Sequence, residues 1–177
     1  SGMAVAMRNT QNSTAMLQTA EGALDEVSNM LIRMKDLATQ AADTSSSIAD
    51  KESMQSEYDA LGTELGNVLK NTKFGGETLI VGGTIGAAMK FQIGADATEV
   101  MNITMATDVT AIGTDVAAAT ASYAAGAAGT EISTAAGATT SITSLTTALA
   151  SVNKVRSSLG AAANRLEHVN NNLSNIS

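Results

Sequence analysis

With 177 residues, 2% aromatic residues and no Trp, the chain cannot fill a thick aromatic core; its 44% hydrophobic content, heavy in Ala and Met, suits long thin helices packed closely. A formal net charge of −7 without a basic stripe argues against a nucleic-acid partner, and the absence of Cys excludes disulfides and Cys-ligated zinc. No Pro is present to interrupt a helix, and no apolar run approaches the roughly 20 residues that cross a bilayer.

The first third is helical by period. Met16, Ala20, Ala23, Val27, Met30, Met34, Leu37 and Ala41 step 4-3-4-3, a heptad seam, and Leu17, Leu24, Leu31 and Ala38 add a second row beside it. An apolar face that wide predicts contact with at least two other helices. Asp43-Thr44-Ser45-Ser46-Ser47 breaks the pattern, and Ser47 with Asp50 reads as a capping box opening a second helix. Met54, Tyr58, Leu61, Leu65 and Val68 form its seam; Gly62 and Gly66 weaken it and point to a close helix–helix or subunit contact. Residues 71–76 are turn chemistry. From 77 to 105 the period changes to two: Leu79-Ile80-Val81 reads as a short strand, and Phe91 and Ile93 face Met101, Ile103 and Met105 across a turn at 94–98.

Residues 107–140 are rich in Ala, Thr, Gly and Ser and lack a strong heptad, so a small outer excursion or mobile loop burying little area is expected, with at most one short helix on Ile112, Val116 and Tyr123. The last segment is regular again. Val155, Leu159, Ala162, Leu166, Val169, Leu173 and Ile176 step 4-3-4-3-4-3, extended backwards by Leu145, Leu149 and Val152. That predicts a helix of roughly 35 residues, about 50 Å long. The expected fold is mainly α: an elongated, rod-like bundle of long heptad helices with β-hairpins and a small variable outer region. Its divisions are 1–106, two helices and the hairpins; 107–140, the outer region; and 141–177, the long C-terminal helix. Leu31, Leu65, Leu159 and Leu166, with Leu37, are the expected core leucines. The chain opens on Ser1-Gly2 and starts and stops inside helical sequence, which reads as a piece of a longer protein.

Chemistry-bearing constellations are sparse. His168 is the single histidine, beside Arg165 and Asn172, so two-histidine metal motifs are excluded and a solvated or inter-subunit histidine is expected. Asp25 with Glu26 and Asp50 with Glu52 read as solvated helix charges. Gly75-Gly76 and Gly82-Gly83 lack the Lys-Ser/Thr of a phosphate-binding loop. No catalytic, cofactor or metal residue is expected.

Five stretches carry a family resemblance. Leu17-Gln18-Thr19-Ala20-Glu21-Gly22-Ala23-Leu24 and the run from Arg33 to Ala42 resemble the first rod helix of bacterial flagellins. Asn71-Thr72-Lys73-Phe74-Gly75-Gly76 and Phe91-Gln92-Ile93-Gly94-Ala95 resemble the hairpin region, and Leu159-Gly160 with Asn164-Arg165-Leu166-Glu167-His168 the C-terminal rod helix. The resemblance implies a structural, non-enzymatic subunit of an extracellular filament, exported through the flagellar type III apparatus, which packs against other copies and requires no cofactor. It implies that the polymerising terminal segments lie outside this chain, so that these residues alone are monomeric. It also implies a vertebrate partner, the Toll-like receptor that senses flagellin, with Arg33, Leu37, Gln40 and Glu57 at the matching contact positions; Lys35 and Asp36 depart from the common Arg and Glu. A hook–filament junction protein shares these implications more weakly. A chemoreceptor-like coiled-coil signalling module is disfavoured by the period-two region.

Overall fold

The computed structural model describes residues 1–124 and 126–176; Ala125 and Ser177, which fall in the expected 107–140 and 141–177 segments, lie outside the described residues. Two long antiparallel helices form the axis: α1 (Gly2–Ala41) and α4 (Ala135–Ile176). Forty and 42 residues correspond to about 60 Å each at about 1.5 Å per residue. Against them pack α2 (Ile48–Asn71) and α3 (Ala106–Ala119), with hairpins β1 (Lys73–Phe74)–β2 (Glu77–Thr78) and β3 (Ala88–Gln92)–β4 (Val100–Thr104) between. The elongated, mainly helical fold expected from the periodicity is the fold observed.

The ends of α1 are set by local polar chemistry. Ser1 Oγ accepts the Ala4 N–H at 3.3 Å, and after Ala41 the Ser46 hydroxyl returns to donate to the Gln40 carbonyl at 2.8 Å. The capping box on α2 is complete: Ser47 Oγ accepts the Asp50 N–H at 3.0 Å, and Asp50 Oδ2 accepts the Ser47 N–H at 3.1 Å. The deepest strip of α1 takes in the second row and half of the Met16 seam. Leu17, Ala20, Leu24, Val27, Leu31, Met34, Ala38 and Ala41 are fully buried, whereas Met16, Ala23 and Met30 are half-buried. A helix touching both α2 and α4 centres its buried face between its partners, and that rotates the innermost line off either heptad taken alone. Leu65, Leu159 and Leu166 are fully buried as well, and Leu173 nearly so, while Val169 is half-buried and Ile176 exposed.

The first hairpin turns on Gly75 and Gly76, with φ +60° and +82°, the left-handed pair that a two-residue turn needs. Leu79-Ile80-Val81 is not a strand. Its N–H groups are taken elsewhere: Leu79 donates to the Thr72 carbonyl at 2.9 Å and Val81 to the Leu69 carbonyl at 3.1 Å, folding the segment back on the end of α2. Leu79 and Ile80 are nevertheless fully buried. In the second hairpin Phe91 pairs with Met101 and Met89 with Ile103. Met89, Phe91 and Met101 face the core, and Lys90 and Asn102 face solvent.

Residues 107–140 bury far more than their composition suggested. Val109, Ile112, Val116 and Ala119 step 3-4-3 along α3 and are buried, and Ile132 and Ala138 are fully buried. Tyr123 does not extend this helix; it lies in the 3₁₀ turn Ala121–Tyr123 that follows. α4 begins at Ala135, ahead of the residue 141 expected for its start.

Candidate functional site

Two features have the character of sites: a connector locked onto α2, and an exposed patch where α1 and α2 run side by side. The connector depends on one face of α2. Gln55, 6% exposed, uses its whole amide: Nε2 donates to Asp59 Oδ1 at 2.9 Å and to Glu131 Oε1 at 3.0 Å, and Oε1 accepts the Ile132 N–H at 2.7 Å. Glu131 Oε2 accepts the Ala121 N–H at 2.8 Å, and Asp59 Oδ1 also accepts the Gly129 N–H at 3.1 Å. Tyr58 donates its hydroxyl to the Ala119 carbonyl at 2.6 Å, and burial, above all, pushes that phenol's pKa upward. Further along, Lys70 Nζ donates to the Tyr123 carbonyl and sits 4.3 Å from the centroid of its ring. Gly62 and Gly66 supply the space. A Cβ at 62 would lie 2.3 Å from Thr120 Oγ1, and one at 66 would lie 3.3 Å from the Tyr123 carbonyl oxygen. The close contact expected of these glycines is thus with the connector. Sequence reasoning missed Gln55, Asp59 and Glu131: Gln55 and Asp59 stand at an i,i+4 spacing that could have paired them, but the partners that tie them to the connector lie 70 to 77 residues away.

On the exposed patch, Arg33 and Glu57 meet fork to fork: Nε to Oε1 at 2.8 Å and Nη2 to Oε2 at 3.1 Å. The hydrogen bond to Glu57, and then its charge, raises the Arg33 pKa above its ordinary value. Both side chains are about half exposed, at 48% and 45%. Gln40 is exposed on α1. Leu37 is different: at 1% exposure it belongs to the core, and its side chain is not accessible to a partner. The four positions therefore divide into three that share the surface and one beneath it.

Arg156 of α4 joins Asp25 of α1 at 2.8 Å, and Lys154 of α4 joins Asp108 of α3 at 3.2 Å. His168 is exposed in a shallow depression with Asn164, Glu167 and Asn171. Among the described residues, no three His, Cys, Asp or Glu side chains gather where a metal could be held, and no helix is long and apolar enough to cross a membrane.

Comparison with known proteins agrees with this arrangement. Residues 1–84 match the family model of the bacterial flagellin N-terminal helical region, and residues 142–177 that of the C-terminal helical region. Flagellin C of Vibrio cholerae is 45% identical over 104 residues, 59% of this chain and 27% of that protein. Flagellin B of Vibrio anguillarum is 39% identical over 115 residues, 63% of this chain and 30% of that protein. The chain thus spans less than a third of these relatives. The crystal structure of Bacillus cereus flagellin superposes with a TM-score of 0.73 at 31% identity, covering 94% of this chain and 88% of that one. A flagellar hook-associated protein from Vibrio parahaemolyticus shares the fold, with a TM-score of 0.75 at 16% identity over 98% of this chain and 86% of that one. With helical regions matched at both ends and the fold matched along nearly the whole length, this chain belongs to the bacterial flagellin family.

Proposed function

We propose that this chain is the rod portion of a flagellar filament subunit. It is a non-enzymatic building block, exported through the flagellar type III apparatus, that packs against other copies outside the cell. We assign residues 1–106 and 141–177 to the rod and 107–140 to its outer end. The observation that carries the reading is the antiparallel α1–α4 axis: its apolar rows are buried inside the chain, and its polar rows stay exposed along the whole length for repeated contacts that need not close. Sedimentation tests it. The full-length protein should form filaments and residues 1–177 alone should stay monomeric; filaments grown from residues 1–177 would count against the reading.

The exposed Arg33–Glu57 fork favours a second role. A planar donor group held by its neighbour costs little further ordering when a partner docks, which suits an interface anchor. We propose Arg33, Gln40 and Glu57 as contacts for the vertebrate flagellin-sensing Toll-like receptor, with Leu37 supporting them from below. Arg33→Ala should weaken binding of the receptor ectodomain by at least about 1 kcal/mol. Affinity indifferent to Arg33→Ala and Glu57→Ala alike removes this role.

A further inference from the structure

Partway along the α1–α4 axis, a shallow groove is lined by Glu21, Asn153, Arg156, Ser157 and Gly160. Its polar groups are incompletely matched. Arg156 gives Nη2 to Asp25 at 2.8 Å and Nη1 to Asn153 Oδ1 at 3.3 Å, but its Nε is buried without an acceptor. Glu21 is half-buried, and among the described residues it has no hydrogen-bond or ion-pair partner. A carboxylate partly withdrawn from water gains most from a charged donor.

The glycines beside it add an independent observation. A glycine inside a helix is less favourable than alanine unless something needs the space. On α2 the connector needs it. On the axis helices Gly2 and Gly137 are crowded by Ala95 and by the Glu131 carbonyl, but beside Glu21 the space is open: a Cβ at Gly22 would meet nothing within 4 Å, and one at Gly160 would meet only the tip of Glu21, its Oε2, at 3.2 Å. Gly22 adjoins Glu21 in sequence, and Gly160 faces it across the groove. Two helix-weakening residues with no internal use therefore flank one unpaired carboxylate.

We propose that this groove is a contact between copies of this chain, in which Gly160 in the groove, with the exposed Gly22 next to Glu21 on α1, lets a neighbour's surface approach and a basic side chain of that neighbour pairs with Glu21. The proposal rests on the filament-subunit reading. Charge complementarity selects the occupant. The groove and its rim hold two carboxylates, Glu21 and Asp25, against one guanidinium, Arg156. Arg8, Lys73, Lys90 and Arg165 are exposed and make no ion pair among the described residues. None of them lines the groove, so each is available to a second copy.

The test is the critical concentration for elongation of the full-length protein on filament seeds, read beside thermal unfolding of the monomer. Glu21→Gln should raise the critical concentration by roughly threefold, the scale of one partly screened ion pair, with the difference shrinking at high salt. Gly22→Ala and Gly160→Ala should raise it too, while increasing the monomer's unfolding midpoint, because alanine is the better helix former. Glu21→Arg should be the most severe, and one of Arg8→Glu, Lys73→Glu, Lys90→Glu or Arg165→Glu in the same chain should restore growth. Wild-type critical concentrations in Glu21→Gln and both glycine variants would overturn the groove contact and leave the filament reading standing. Failure of the unaltered full-length protein to assemble would overturn the filament reading, and this contact with it.

Discussion

Replacing Gln55 by Ala should destabilise the fold about as much as deleting a core leucine, although no apolar packing is at stake. The amide joins three places at once: Asp59 on its own helix, Glu131 in the connector, and the backbone N–H of Ile132, a residue with no exposed surface. Removing it leaves that N–H without an acceptor, at a cost of about 1–3 kcal/mol, and removes two donors from carboxylates whose bonds are each worth more than a neutral pair. Water can reach the half-buried Asp59 and Glu131 and recover part of the loss, which brings the expected total to about 3 kcal/mol. For a chain of this size that corresponds to a drop of about 6–12 °C in unfolding midpoint. Calorimetry measures the total, and amide exchange locates it: Ala121, Gly129 and Ile132, the backbone donors of the network, should lose protection first. A midpoint within about 1 °C of wild type, with those amides still protected, would show that the connector is held by its apolar residues alone, and the reasoning would be wrong.

Leu159→Ala and Leu166→Ala, both at fully buried positions, should each cost about 2–5 kcal/mol in denaturant unfolding, since few large side chains nearby can close the cavity. Deleting residues 112–135 should reduce helix content and midpoint well beyond the lost residues themselves, because Ile112, Val116 and Ile132 leave the core with them; circular dichroism of the deletion checks it. At acid pH the first turn of α2 should loosen. The backbone N–H of Ser47 first, and its side chain second, hold the Asp50 carboxyl below its ordinary 3.8, so the stabilisation is complete above that value and is lost as pH falls through the lower folded value. Amide exchange around Asp50 should show this dependence, and Asp50→Asn should abolish it.

The long helices were legible in the sequence because each spends its length against another helix, and burial then imprints its period on the residues. The departures have physical causes. Both heptad rows of α1 are real, but a helix with two neighbours buries the strip between them, so Leu17, Leu24 and Leu31 lie as deep as Ala20 and Val27 while Met16 and Met30 sit at its edge. Leu79-Ile80-Val81 has the composition of a strand, yet the N–H groups of Leu79 and Val81 go to the Thr72 carbonyl just past α2 and the Leu69 carbonyl in its last turn, so it folds back on the helix instead of extending as a strand. The connector was unreadable because its anchors are polar and distant: Gln55 and Ile132 stand 77 residues apart. Of the exposed patch, only the shared face of Arg33 and Gln40 could be read from spacing. Glu57 was added by resemblance alone, and the fork that joins it to Arg33 spans 24 residues of sequence and two helices.

The antiparallel course of α1 and α4 also decides how the molecule carries force. Gly2 and Ile176 begin and end the two axis helices at the same end of the rod. A pull that separates those two ends peels the helices apart one turn at a time, and each step breaks only the contacts at the fork. A load that enters through both ends together and leaves at the turn beyond Ala41 acts along the helix axes, and the whole buried seam resists it at once. The same packing is therefore weak as a zipper and strong as a strut, and the direction of loading selects which of the two it is.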